Sequence, residues 1–286
     1  MRRVWVILML CLAEAFAGAQ VADFLSRAEL VISGGGMGYV GDLNDQRLFS
    51  TPGLALGGGL CYRLDNRWSV GGEVRYGRVG CATDCLPMRN LSFRSHVAEF
   101  SVRVQFNFLP LGTGATDYRW SPYLFGGIGA FHFNPEATYV DADGTQRWVA
   151  LQPLGTEGQG SAAYPDRKPY SLVQLCLPFG VGVKARLNST FSVEIEYGFR
   201  KSWTDYLDDV STTYVGSEVL DNGRVNGALA ARLADRSGEV AGGEANAAGI
   251  KRGDDSLDDW YTCFHVSVGI SLEALLGWTR RKQCEQ

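Results

Sequence analysis

Residues Phe191–Arg200 read FSVEIEYGFR, in which Phe191, Val193, Ile195, Tyr197 and Phe199 alternate with Ser192, Glu194, Glu196, Gly198 and Arg200. Side chains of a β-strand point to opposite faces in turn, so this segment carries one apolar face and one charged face. The pattern recurs along the chain, and no helical segment is long enough to cover the apolar faces. Those faces therefore meet hydrocarbon, and the sequence predicts an all-β protein that crosses a membrane with strands.

Eight strands are expected, at about 29–40, 53–64, 67–79, 96–108, 121–133, 172–187, 190–201 and 259–272. Each is long enough for the ~9–11 residues of a tilted membrane strand. In the fourth, Ala98, Phe100, Val102, Val104, Phe106 and Phe108 face lipid while Glu99, Ser101, Arg103, Gln105 and Asn107 point inward. In the eighth, Phe264, Val266, Val268 and Ile270 lie outside, with Cys263, His265 and Ser267 inside. Glycine blurs the alternation in the first and fifth strands and leaves their facing open. The fold class is an eight-stranded antiparallel up-and-down transmembrane β-barrel.

Links set the orientation. Asp65-Asn66-Arg67, a modest segment from Leu109 to Trp120, and Asn188-Ser189-Thr190 lie on one side; 41–52, 80–95, 134–171 and 202–258 lie on the other. Outer-membrane barrels keep short turns in the periplasm, so 134–171 and 202–258 are two long extracellular loops and the tail 273–286 is periplasmic. Trp68, Trp120, Tyr123, Trp203, Trp260 and Tyr261, near strand ends, suit interfacial girdles.

The N-terminus agrees with export. Arg2 and Arg3 precede the apolar run Val4–Leu12, and Ala15, Ala17, Gly18 and Ala19 follow, the order of a signal peptide over 1–19 with the barrel over 20–286. Composition fits as well: the 36 glycines exceed the ~7 % average usage, as expected where strands curve tightly. A net charge of −4 argues against nucleic acid, whose binding needs a basic surface.

Three-residue links align the inward faces so that Lys184 lies opposite Glu194 and Gly59 opposite Glu73. A Lys184–Glu194 pair is expected in the lumen, together with inward Arg63, Glu73, Arg75, Glu99, Arg103, Arg186 and Glu196. Side chains fill an eight-stranded interior, and buried charges of both signs pair, which gives a plugged barrel instead of an open pore.

Candidate chemistry is sparse. Cys81 and Cys85 share one external loop, as a disulfide or as two free thiols. Cys176 and Cys263 lie on alternate strands, ~10 Å apart, beyond disulfide reach. Asp205, Asp208 and Asp209, with Asp254, Asp255, Asp258 and Asp259, read as a solvated acidic loop, since the spacing of a calcium loop is missing. The tripeptide Arg252-Gly253-Asp254 is too short to carry meaning. His265 shares a face with Ser267 but points to the lumen, away from lipid headgroups, and reads as a structural histidine. No cofactor, metal or small-molecule substrate is expected, only membrane lipid. Val225–Arg236, with Leu229 and Leu233 four apart, predicts a short helix that caps the mouth or presents a docking surface, or else rides a mobile loop.

Pro122–Ala137, Trp148–Gly160, Leu177–Lys184, Gly198–Tyr214 (GFRKSWTDYLDDVSTTY), Leu233–Glu239 and Lys251–Tyr261 together resemble PorG, the outer-membrane barrel of the Bacteroidetes type IX secretion system, and its relatives. The resemblance implies a non-enzymatic barrel that anchors the secretion machine through the periplasmic ring proteins PorK and PorN and supports gliding motility in some species. It brings no catalytic residues, and it makes Asp205, Asp208 and Asp209 the first choice for a loop-ordering or contact site. The rival readings are a lipid-modifying barrel enzyme and a small porin or surface-binding barrel.

Overall fold

The computed structural model describes residues 21–44, 52–82, 89–222 and 225–277. The expected signal peptide, Cys85 and the last part of the tail, from residue 278, lie outside them.

Ten strands form: β1 (Ala28–Val40), β2 (Gly53–Arg63), β3 (Trp68–Cys81), β4 (Phe93–Asn107), β5 (Trp120–His132), β6 (Pro135–Val140), β7 (Gln146–Ala150), β8 (Val173–Arg186), β9 (Phe191–Ser202) and β10 (Trp260–Ser271). Eight of them close a ring in the order β1-β2-β3-β4-β5-β8-β9-β10, with β10 returning to β1 and every pairing antiparallel. No helix among the described residues is long and apolar enough to cross a membrane. Closure removes the sheet edges that lipid could not hydrate, so every strand of the ring has its backbone paired on both sides.

The alternation that starts at Phe191 runs round the ring. Ile195 is 51 % exposed on the outer wall while Glu194 and Glu196, its neighbours, are 4 % and 1 % exposed in the lumen. Phe100, Val74, Leu56, Val181 and Phe264 continue the apolar wall. The glycine-rich β1 resolves by register: Glu29 pairs with Ser271, Ser33 with Ser267 and Tyr39 with Tyr261, which places all three inside. Gly35 is required there, because a Cβ would sit 2.0 Å from the Phe264 carbonyl oxygen of β10. On the opposite wall a Cβ on Gly127 would lie 2.3 Å from the Val102 carbonyl oxygen.

Three expectations change. Tyr123 and Tyr261 are 1 % and 0 % exposed and point into the lumen, so they leave the girdle; both fall on the inward parity of their strands. Trp68, Trp120 and Trp203, at 44 %, 52 % and 52 %, stay outside. The segment 134–171 is more than a loop, since β6 and β7 form a hairpin that continues from β4 above the barrel, through Arg94↔Glu136 and Ser95↔Pro135.

The third change concerns the helix, which spans Gly227–Ala234, shorter than the twelve-residue segment Val225–Arg236. It packs Ala230, Leu233 and Ala234 onto Ala137, Leu151, Leu154, Val215 and Leu220. A second buried cluster lies at the mouth itself, where Leu207 and Val210 of the last loop meet Met37, Tyr39, Leu43, Phe131, Phe133 and Tyr261. The long loops are thus folded into a cap with its own core, seated on the barrel.

Candidate functional site

Two built regions follow from this architecture, the lumen and the cap. In the lumen, Lys184 Nζ lies 2.9 Å from Glu194 Oε1 and 2.9 Å from Glu29 Oε2. Arg186 bonds the other oxygen of Glu29. One level up, Arg103 donates to Glu196 (2.8 Å) and to Glu73 (3.3 Å), and Arg75 bonds Glu73 directly. Tyr123 donates to Glu196 (2.8 Å), and His265 Nε2 stands 3.3 Å from the same carboxylate. Above these, Arg200 pairs with Glu99 (3.3 Å), which also accepts from Tyr261 (2.9 Å). Arg75, Glu99, Glu196 and Arg200 are each at most 2 % exposed. Charges packed this tightly are tolerable only because each meets an opposite one. Together they cross the lumen at three levels, with a small cavity left between Cys61, Glu73, Arg103, Glu194 and His265.

His265 is a member of this network, 4 % exposed and turned away from the lipid wall. Cys61, Cys176 and Cys263 are free thiols, and Tyr261 donates to Cys176 Sγ at 3.6 Å. Cys81 is disulfide-bonded, and Cys85 lies outside the described residues.

The cap is organised around Arg252. Its Nη1 donates to Glu157 Oε1 (2.9 Å) and to the Asp209 carbonyl, and its Nε donates to the Ala234 carbonyl (3.1 Å). Glu157 in turn accepts from the Ser211 and Thr212 amides (2.9 and 3.0 Å) and from Thr212 Oγ1 (2.7 Å). Burial works to raise Glu157, but the Arg252 guanidinium and these donors outweigh it and hold the carboxyl below its ordinary value. Asp209 accepts from Thr156 Oγ1 (2.5 Å) and Tyr170 Oη (2.7 Å), with its backbone at φ 68°, a left-handed conformation that aspartate adopts more readily than most residues.

The acidic loop is therefore not solvated. Asp205, Asp208, Asp209 and Asp259 are 9 %, 1 %, 0 % and 0 % exposed, because Leu207 and Val210 between them anchor in the mouth and draw the carboxylates under the cap. Burial pushes Asp205 up to about 8, Asp208 to about 7 and Asp209 to about 6. Asp255 and Asp258 remain toward solvent, and Asp258 pairs with Lys201 at 2.7 Å. Arg252, 2 % exposed, is unavailable as the head of an exposed tripeptide. No three His, Cys, Asp or Glu side chains among the described residues come together to hold one metal ion.

Several buried polar residues escape sequence reasoning. Glu29 and Tyr39 lie on β1, whose glycines hide the parity, and Glu157 and Arg252 lie in loops without periodicity. Their sole sequence signal is membership, for the last two, of the stretches Trp148–Gly160 and Lys251–Tyr261.

A closed ring of strands with an apolar outer wall, a charged lumen and a cap folded over its mouth defines an integral outer-membrane β-barrel. A family profile described as the outer membrane protein beta-barrel domain matches residues 7–219, and the chain belongs to that family. No curated protein matches the sequence. Among solved structures the chain is similar to Ail, the attachment invasion locus protein of Yersinia pestis (11 % identity, TM-score 0.38, covering 85 % of this chain and 97 % of that one). It is also similar to Neisserial surface protein A (10 %, TM-score 0.40, 85 % and 96 %) and to OprG from Pseudomonas aeruginosa (12 %, TM-score 0.35, 85 % and 96 %).

Proposed function

We propose that this barrel is a non-enzymatic, structural component of the type IX protein secretion machinery, anchoring it in the outer membrane in association with a periplasmic ring of PorK and PorN and supporting gliding motility where the machine drives it. The observation that carries this reading is spatial. Four stretches that resemble PorG, around Glu157, Asp209, Ala234 and Arg252, are far apart in sequence yet meet at one guanidinium. The resemblance thus covers one folded unit instead of scattered turns.

The ion pairs that cross the lumen count against a diffusion porin, and a luminal His265 counts against chemistry on lipid, because a lipid-attacking group must reach the outer wall near the headgroups. Neither a cofactor nor a small-molecule substrate enters this reading. Affinity purification of the full chain from detergent-solubilised membranes is expected to recover a periplasmic ring protein, and deletion is expected to abolish secretion. Intact secretion in the deletion strain, or porin-like conductance steps in planar bilayers, would overturn the proposal.

A further inference from the structure

Where the last long loop enters the barrel mouth, two aspartates share one hydroxyl. Tyr39 Oη lies 2.6 Å from Asp208 Oδ2 and 3.0 Å from Asp259 Oδ1, with all three side chains buried. A hydroxyl carries one proton and can donate to one carboxylate only. The second oxygen at hydrogen-bond distance requires a proton of its own, donated back to the tyrosine oxygen. The remaining oxygens are committed: Asp208 Oδ1 accepts from the Val210 amide (2.9 Å) and Asp259 Oδ2 from the Leu207 amide (2.9 Å). The site is also tight, since a Cβ on Gly41 would stand 1.8 Å from Asp259 Oδ1 and 2.2 Å from Tyr39 Oη.

We propose that Tyr39, Asp208 and Asp259 form a one-proton latch that fastens the external cap to the barrel mouth and releases it when that proton is lost. Tyr39 belongs to the end of β1, Asp208 to the cap, and Asp259 immediately precedes β10, so the shared proton ties three parts of the chain. Loss of it leaves two full negative charges against one hydroxyl in a buried site, where repulsion is weakly screened.

The surroundings add negative charge. Asp205 acts on Asp259, and Asp42 acts on Asp208. Arg252, the cation that acts on Asp208, is engaged by Glu157 and the Asp209 carbonyl, while Arg89 and Lys251 act on Asp42. Burial, followed by the charges of Asp208 and Asp205, raises Asp259 well above its ordinary value.

The test follows cap cleavage by proteinase K in the full mature chain reconstituted in vesicles, from pH 5 to pH 9, each rate referred to an unfolded substrate at the same pH. The wild-type chain is expected to be cut within 202–258 at least about tenfold faster at pH 9 than at pH 6, since release of one proton shifts the opening equilibrium by up to about tenfold per pH unit. Asp259→Asn, which mimics the protonated carboxyl and still accepts from Leu207, is expected to flatten this rise, leaving only the part that Asp205 and Asp209 contribute. Gly41→Ala is expected to give fast cleavage at every pH with the barrel still resistant. Should Asp259→Asn fail to fold, Asp208→Asn reads the same proton from the other side. A pH-independent wild-type rate, or an Asp259→Asn profile that follows the wild type, would overturn the latch.

Discussion

At Arg252 one side chain bonds Glu157, the Asp209 carbonyl and the Ala234 carbonyl, so three segments of the cap depend on a single buried cation. Arg252→Ala leaves Glu157 buried and unpaired, at a cost of about 3–5 kcal/mol to the cap. The expected outcome is rapid proteolysis within 204–214 while the barrel keeps its resistance, read by mass spectrometry of the fragments. Protons act here with opposite signs. Asp205, Asp208 and Asp209 bind protons more tightly in the folded cap than in the unfolded loop, with values of about 8, 7 and 6 against 3.8. Their stabilisation is fully present below 3.8 and is lost as pH rises through those folded values. Glu157, held below its ordinary 4.5, stabilises above that value and ceases to as pH falls below it. Amide hydrogen exchange of residues 204–214 is therefore expected to be slowest near about pH 5 and to quicken on either side, after correction for intrinsic rates. Lys184 and Glu194 were legible as a facing pair because a short link fixes parity between β8 and β9, whereas Glu29, which bonds the same lysine, was hidden by the glycines of its own strand.

The hairpin of β6 and β7 and the helix Gly227–Ala234 show how elements assemble the cap. Leu233 fills the space beneath the helix, against residues from 137, 151 and 154. Leu233→Ala is expected to destabilise this unit by about 2–5 kcal/mol, the range for removing a buried leucine side chain. Increased labelling of a tag placed near residue 240, with unchanged gel mobility of the folded barrel, checks it. Helical spacing of Leu229 and Leu233 made the helix visible in the sequence. The hairpin stayed invisible: β6 carries no alternation that its lipid-facing neighbours do not swamp, and β7 is only five residues, Gln146–Ala150, largely exposed.

For the whole molecule, closure of eight strands with hydrocarbon around them is the stabilising arrangement. The extracted protein is expected to migrate faster unboiled than boiled on a detergent gel, and mass spectrometry of the mature chain is expected to begin at Gln20. A detergent-free aqueous monomer would contradict the apolar wall. The number of strands in the ring, the inward set on β4, β9 and β10 and the charge content of the lumen follow from sequence alone, because a period of two and a link of three residues are local properties that any closed sheet must respect. The tertiary structure alone decided the rest. Whether an aspartate in a long loop meets water or a tyrosine depends on where Leu207 and Val210 anchor, and which glutamate completes a lysine depends on strands 155 residues apart in the chain. Burial and long-range pairing belong to no segment by itself, so the acidic motif reads as solvated in sequence and is the buried fastening of the cap in space.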